Sequence, residues 1–359
     1  MARAWCVISA DEVACSPLWF PLERVERDGI RMVRLHEAAY HAASFLDQRV
    51  LGGAPEQAVC AIDVLESAAA GLVPRLHYIF HTGHVGSTLL SRLIGEHEAL
   101  FSLREPALLR EIAPRAAPSV SATAAGLGLG SLLALLARTW RAEQRAVIKA
   151  TSFLSEYASI ILAKSQRPAA ILMFVQPLVY LRTILGGPNS RIEARTLATS
   201  RLRRLAQRLG DAEWHSGVRS EGEYIAMSWL CEMAALHQVA PVGSGITSAA
   251  GAPDRREHSQ VLWVEFDRFL TDPRGCLHGI LRTLGTDASA REIEALVSRP
   301  LMRQYSKAPE YAYDAHTRRE VLSAVDQPYG TELKRGMDWL DRMAGHYALV
   351  ASILEGVRS

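Results

Sequence analysis

For its first seventy or so residues the chain shows little regular patterning. There is a run of β-forming residues at positions 30–35 and helical spacing over 56–70. A clear rhythm begins at Arg75. Residues 76–80 (LHYIF) form a short apolar run of the kind expected for a strand buried on both faces. HTGHVGST follows at 81–88, and then a segment whose Leu89, Leu90, Leu93 and Ile94 share one helical face. Further apolar runs stand at 146–148, 171–175 and 261–266. Helical patterns separate or follow them, at 156–165, 178–185, a long stretch over 196–240, and 276–284. Strands alternating with helices predict a parallel sheet covered on both faces. We therefore expect an extension over residues 1–74 packing on an α/β domain over 75–359.

Composition narrows the partners. The 359 residues are 49% hydrophobic and 22% charged, which excludes disordered and collagen-like classes. Forty Lys and Arg against 38 Asp and Glu leave a formal charge of +2, so no basic surface points to nucleic acid. Any anion site has to be local. Five scattered cysteines, with no CxxC pair and no zinc spacing, predict a reduced, cytoplasmic protein without a structural metal. The amino end, MARAWCVISADEVAC, is a poor match to a signal peptide. Between Arg115 and Arg138 no residue is charged, but the first half is small and polar, and Gly126, Gly128 and Gly130 interrupt the rest. That stretch predicts a loop feeding a buried helix, and no membrane span.

The segment 81–88 carries the chemistry. Gly83 and Gly86 allow a tight turn close to an anion, and Ser87 and Thr88 open the helix, where free N–H groups attract phosphate or sulfate. A nucleotide-triphosphate loop would read GxxxxGK[ST]; here no lysine precedes Ser87-Thr88.

YIFHTGHVGSTLLSRLI resembles the 5′-phosphosulfate-binding loop of the sulfotransferase superfamily, P-loop relatives that use 3′-phosphoadenosine 5′-phosphosulfate (PAPS). The family's K/R-S-G-T-T-L/W-L falls on residues 84–90, with His84 at the basic position. LREPALLREI (103–112) is similar to the segment holding the family's general base, here Glu105, whose alternative is an exposed carboxylate paired with Arg104 or Arg110. VIKATS (147–152) resembles a strand end that places Lys149 at the ligand edge, with a surface lysine as the alternative. VLWVEFDRFLTDPRGCLHGILRTLG (261–285) resembles a structural strand, turn and helix, with Glu265 a structural carboxylate. Tyr305 to Lys307 and Lys334-Arg335-Gly336 resemble family features faintly; the latter fits a C-terminal helix better.

One departure stands out. The family's 3′-phosphate arginine position holds Val175, ahead of Gln176-Pro177, and its serine position holds Thr183. Arg182, or Arg191 in the loop-like GGPNSR, is left to supply the charge.

The resemblance implies a three-layer P-loop fold with a central parallel sheet. It implies transfer of a sulfuryl group from PAPS, as co-substrate and without metal, to a hydroxyl or amine of a small-molecule acceptor. Glu105 and His84 would be catalytic. Gly83, Val85, Gly86, Ser87, Thr88, Lys149, Thr183, Ser190 and Arg191 would bind the nucleotide. The extension and the segment 113–138 are the expected covers of the acceptor pocket. Two other readings stay open: an ATP-dependent phosphotransferase and a non-catalytic nucleotide-binding protein.

Overall fold

Short apolar runs become strands here because each buries both faces, or one face, against a neighbour. The structure, a computed structural model, describes residues 8–25, 29–117, 126–211, 220–243, 260–304 and 314–358. Near the amino end, β1 (Trp19–Val25), β2 (Gly29–Arg34) and β3 (Gln57–Ala61) form an antiparallel sheet in that order. The helix expected over 56–70 begins only at Ile62, because Ala58 and Cys60 alternate inward with period two and pair with β2.

The second sheet holds β4 (Leu76–His81), β5 (Leu100–Arg104), β6 (Arg145–Lys149), β7 (Ala169–Phe174) and β8 (Gln260–Glu265). Its order is β5-β6-β4-β7-β8 and every pairing is parallel. Strand β5 has no clean apolar signature: Ser102 and Arg104 interrupt it, yet all five residues are buried. Ser102 shares a 2.7 Å hydrogen bond with Ser91, and the Arg104 guanidinium donates to the carbonyls of Tyr40, His41 and Ala43. Those partners remove the cost of burying polar groups.

Helices cover both faces. Ser87–Ile94 packs on β4 to β6 and Pro273–Thr283 on β7 and β8, with Ala290–Val297 between them. On the other face lie Glu221–His237, the 3-10 turn Ser152–Tyr157 and Pro177–Leu185. Three layers result, as the alternation of elements predicts. Trp229 is fully buried there, and its indole N–H donates to the Val175 carbonyl at 2.9 Å.

Two expected elements differ. The long helix over 196–240 is two helices, Pro188–Leu209 and Glu221–His237. Gly210 ends the first in a left-handed conformation (φ 70°), and a Ser220–Glu223 capping box starts the second. GGPNSR is not a loop: Pro188 is the first helical residue, so Asn189, Ser190 and Arg191 lie in a helical turn. The buried helix after the glycines is present at Leu129–Leu136, while most of the preceding loop, 118–125, falls outside the described residues. Tyr305 to Lys307 and Cys6 also fall outside them. Among the described residues no helix is long and apolar enough to cross a membrane, and the cysteines are free thiols. Lys334-Arg335-Gly336 lies within the helix Asp326–His346, whose Leu333 and Leu340 are buried.

Candidate active site

The topology decides where a ligand can sit. From β4 the chain passes over β6 to reach β5, returns to β6, and then crosses to β7 on the opposite side of β4. Such a reversal opens a crevice at the carboxyl ends of the strands. The 81–88 loop follows β4, Glu105 follows β5, Lys149 ends β6 and Phe266 follows β8. Together they border a cavity of about 740 Å³, within the usual range for small-molecule sites.

The loop is shaped for an anion. Gly83 (φ 91°) and Gly86 (φ 68°) both take left-handed backbone, and so does His84 (φ 55°), where a side chain is strained. Gly86 caps the helix Ser87–Ile94 with no side-chain hydrogen bond, so the first-turn amides of Ser87 and Thr88 are not capped from within. A Cβ on Gly86 would lie 2.0 Å from the Phe266 ring, so no other residue fits at that place. His81, which sequence reasoning passed over, locks the loop's entry. Its Nδ1 accepts the Gly83 N–H at 3.0 Å, which makes Nε2 the donor to the Ala150 carbonyl at 2.8 Å. A histidine ending a strand two residues before a loop glycine was the available signal.

Glu105 also has positive φ (52°). Its amide donates to the Lys149 carbonyl at 2.8 Å, continuing the β5–β6 pairing past Arg104. Its carboxylate meets the Lys149 ammonium in a charge-assisted hydrogen bond. The lysine side chain is only 2% exposed and the carboxylate 13%. Lys149 is therefore not a surface lysine, and Glu105 is not paired with Arg104 or Arg110. Breaking such a pair from one side costs about 3–5 kcal/mol, because a buried charge is left behind.

His84 lines the cavity with Nε2 3.8 Å from the Glu193 carboxylate. Glu193 comes from the helix Pro188–Leu209, one turn beyond Ser190, and carried no motif of its own. Gly83, Val85, Gly86, Ser87, Thr88, Thr183 and Ser190 border the same cavity. Arg191 does not. It donates to both oxygens of Glu221 at 3.0 and 2.7 Å and to the Tyr329 hydroxyl at 2.8 Å. Arg182 lines the cavity but is bound bidentately by Asp326 at 2.6 and 2.8 Å. Val175 is wholly buried.

Of the two expected covers, the amino-terminal segment reaches the cavity, whereas no described residue of 113–138 lines it. Leu46 N–H donates to the Arg104 carbonyl at 2.7 Å and Ala107 N–H to the Leu46 carbonyl at 3.1 Å, which stitches the extension to both sides of Glu105. Phe45 and Arg49 then line the cavity. The guanidinium of Arg49 stacks 4.5 Å from the Phe45 ring centroid, and the Lys149 ammonium lies 5.9 Å from the same centroid.

Fold and loop together define a three-layer α/β protein with a parallel central sheet and a glycine-containing loop that leads from its first strand into a helix. The chain is similar to solved structures of sulfotransferases. The sulfotransferase domain from the curacin biosynthetic pathway is 14% identical, with 75% of this chain and 98% of that one covered and a TM-score of 0.37. The domain from the Synechococcus PCC 7002 olefin synthase is 15% identical (72% and 96% covered, TM-score 0.36). Sulfotransferase STF9 from Mycobacterium avium is 12% identical (72% and 78% covered, TM-score 0.34). No protein-family model matches the chain, and neither does any curated protein.

Proposed function

We infer that the protein transfers a sulfuryl group from PAPS to a hydroxyl or amine. The observation that carries this reading is the Glu105–Lys149 pair, set in the same cavity as an uncapped helix amino end. A carboxylate placed there meets the main need of sulfuryl transfer to an alcohol, a destination for the acceptor's proton. PAPS, when bound, supplies the activated sulfuryl group.

The chain's residues divide the work. The amides and hydroxyls of Ser87 and Thr88 hold the anionic oxygens at the helix end. Glu105 accepts the acceptor's proton as the new bond to sulfur forms. Lys149 fixes that carboxylate from below, buried so that it cannot swing away. His84 donates a hydrogen bond toward the phosphate oxygen that departs as the old S–O bond breaks, with Glu193 beside its ring. Thr183 and Ser190 border the end that would take the 3′-phosphate. Reaction at a small-molecule acceptor, without metal, inside the cytoplasm, completes the reading.

One observation favours a second reading, a nucleotide-binding protein without turnover. Val175 is buried and Arg191 is held by Glu221, so a strong 3′-phosphate contact is not assembled at either position. Thermal unfolding separates the readings. Adenosine 3′,5′-bisphosphate (PAP) at a hundredfold excess over its dissociation constant adds about 2.7 kcal/mol. Stabilisation by PAP together with PAP release from PAPS and an acceptor supports transfer. Stabilisation by PAP without release, over a broad acceptor panel, favours the binding protein. Stabilisation by Mg·ATP alone would sink the transfer reading.

A further inference from the structure

We propose that the acceptor is an anion, carrying a carboxylate or phosphate group that Arg49 and Arg110 bind while its hydroxyl faces Glu105. The proposal rests on the transfer reading and names its substrate class.

Arg49 is built as a recognition group. Asp47, almost fully buried, caps the short helix Gln48–Leu51 through the Arg49 amide at 3.0 Å and takes the guanidinium edge formed by Nε and one terminal nitrogen. Phe45 supports its face. Anchored on one edge and stacked on one face, the guanidinium keeps its second terminal nitrogen for a ligand, and its side chain is 64% exposed beside the cavity. An arginine held this way loses little freedom on binding an oxyanion.

Arg110 borders the same cavity one helical turn past Pro106, in the helix Ala107–Ile112. It is exposed, and no described residue pairs with it. On this wall Lys149 offsets Glu105 and Asp47 offsets Arg49, so Arg110 leaves a net charge of +1. When Glu105 takes the acceptor's proton its charge disappears and the wall becomes more positive. A bound anion is then held more tightly as the reaction proceeds, which favours an anionic acceptor over a neutral one of the same shape. The loop side of the cavity already has its own donors for the nucleotide, so these two arginines are left to the acceptor.

The test uses two phenols of matched shape, 4-hydroxyphenylacetate and 4-hydroxyphenylacetamide, with PAPS. PAP release is followed, and calorimetry records the binding of each phenol to the PAP-saturated protein. The wild type is expected to prefer the anionic phenol by at least about tenfold in kcat/KM, or in affinity if neither phenol turns over. Arg49→Gln and Arg110→Gln should each collapse that ratio through KM, with PAP affinity retained as evidence of folding. Equal use or binding of the two phenols, or a preference that survives both substitutions, overturns the proposal while PAP binding keeps the transfer reading intact. Failure of the wild type to bind PAP removes both.

Discussion

The two ends of the cavity are built in different ways. At the β4 end, backbone does the work: Gly83, Gly86 and the helix amino end are set by φ angles that almost no other residue tolerates. At the β7 end the candidate groups are side chains, and most are already engaged. Arg182 faces Asp326, Arg191 faces Glu221, and the Thr183 hydroxyl donates to the Val179 carbonyl. A backbone site is ready before its ligand arrives. A side-chain site has to exchange partners on binding, which weakens and tunes it. Under the proposed function, the 5′ end of the nucleotide would meet preformed geometry and discrimination at the 3′ end would be modest.

The largest effect should come from the residue facing the prepared end. Glu105→Gln keeps shape and one acceptor oxygen but removes the base. Turnover should fall about 10²–10⁴-fold, the usual range for a positioned general base, while PAP still stabilises the protein. Retained turnover would take Glu105 out of that role. The melting temperature without ligand should also fall, because Lys149 loses its ionic partner within a buried site.

Gly86→Ala attacks the backbone itself. The new Cβ would overlap the Phe266 ring at 2.0 Å and would have to adopt φ near 68°. Left-handed strain and overpacking together predict a loss of about 2–5 kcal/mol. Thermal unfolding with and without PAP should show lower stability and no ligand response. A variant that melts normally and still binds PAP would mean that the loop is not held as described.

Legibility in the sequence follows the same division. Residues 76–94 were readable because a parallel strand, a glycine turn and an amphipathic helix each leave a local pattern, and β4, the loop and the helix stand where that pattern puts them. Strand β5 was unreadable because its fit depends on Arg104 finding three carbonyls in the extension, a non-local solution to a polar residue in a core. The break was signalled by Gly210-Asp211, Gly217 and Ser220, which are poor helix formers and cap residues, but spacing over the longer stretch carried the helix through them. Glu105 and Lys149 could each be singled out, but not their contact, which arises from the β5–β6 register. Arg191 looked available because Gly186-Gly187-Pro188 reads as a loop, whereas the proline starts a helix that turns the guanidinium to Glu221.

Acid offers a gentler probe of the strand beneath the prepared end. His77, on β4, accepts the Ala169 N–H of β7 at 3.0 Å. Burial, with Arg145 adding to it, pushes its pKa down to about 4 from 6.5. Above pH 6.5 the ring is neutral in both folded and unfolded chains and contributes no pH dependence. Between 6.5 and 4 the unfolded chain takes the proton and the folded one does not, so stability falls as pH falls, by at most roughly 3 kcal/mol from this group. Urea unfolding at pH 7 and 4.5 should show a smaller loss for His77→Asn, which keeps an acceptor and cannot titrate. Equal losses in the two proteins would assign the acid sensitivity elsewhere.

The smallest effects belong to the unprepared end, and they decide how its charge is supplied. Arg182 already borders the cavity, and Asp326, its partner, is 44% exposed, so exchange of that carboxylate for a phosphate costs little. Arg191 would have to leave both Glu221 and the Tyr329 ring, whose centroid is 5.1 Å away. Arg182→Ala should therefore lower the ratio of PAP to 5′-AMP affinity by about tenfold, the scale of one charge-assisted contact of about 1.4 kcal/mol. Arg191→Ala should appear mainly as a stability loss of about 1 kcal/mol, typical of a half-exposed pair. Calorimetric titration of both nucleotides into both variants makes the comparison. If Arg191→Ala erases the discrimination and Arg182→Ala does not, the first turn of the helix Pro188–Leu209 must rearrange when nucleotide binds. The 3′ end would then be assembled by its ligand, and the contrast with the preformed 5′ end would be sharper still.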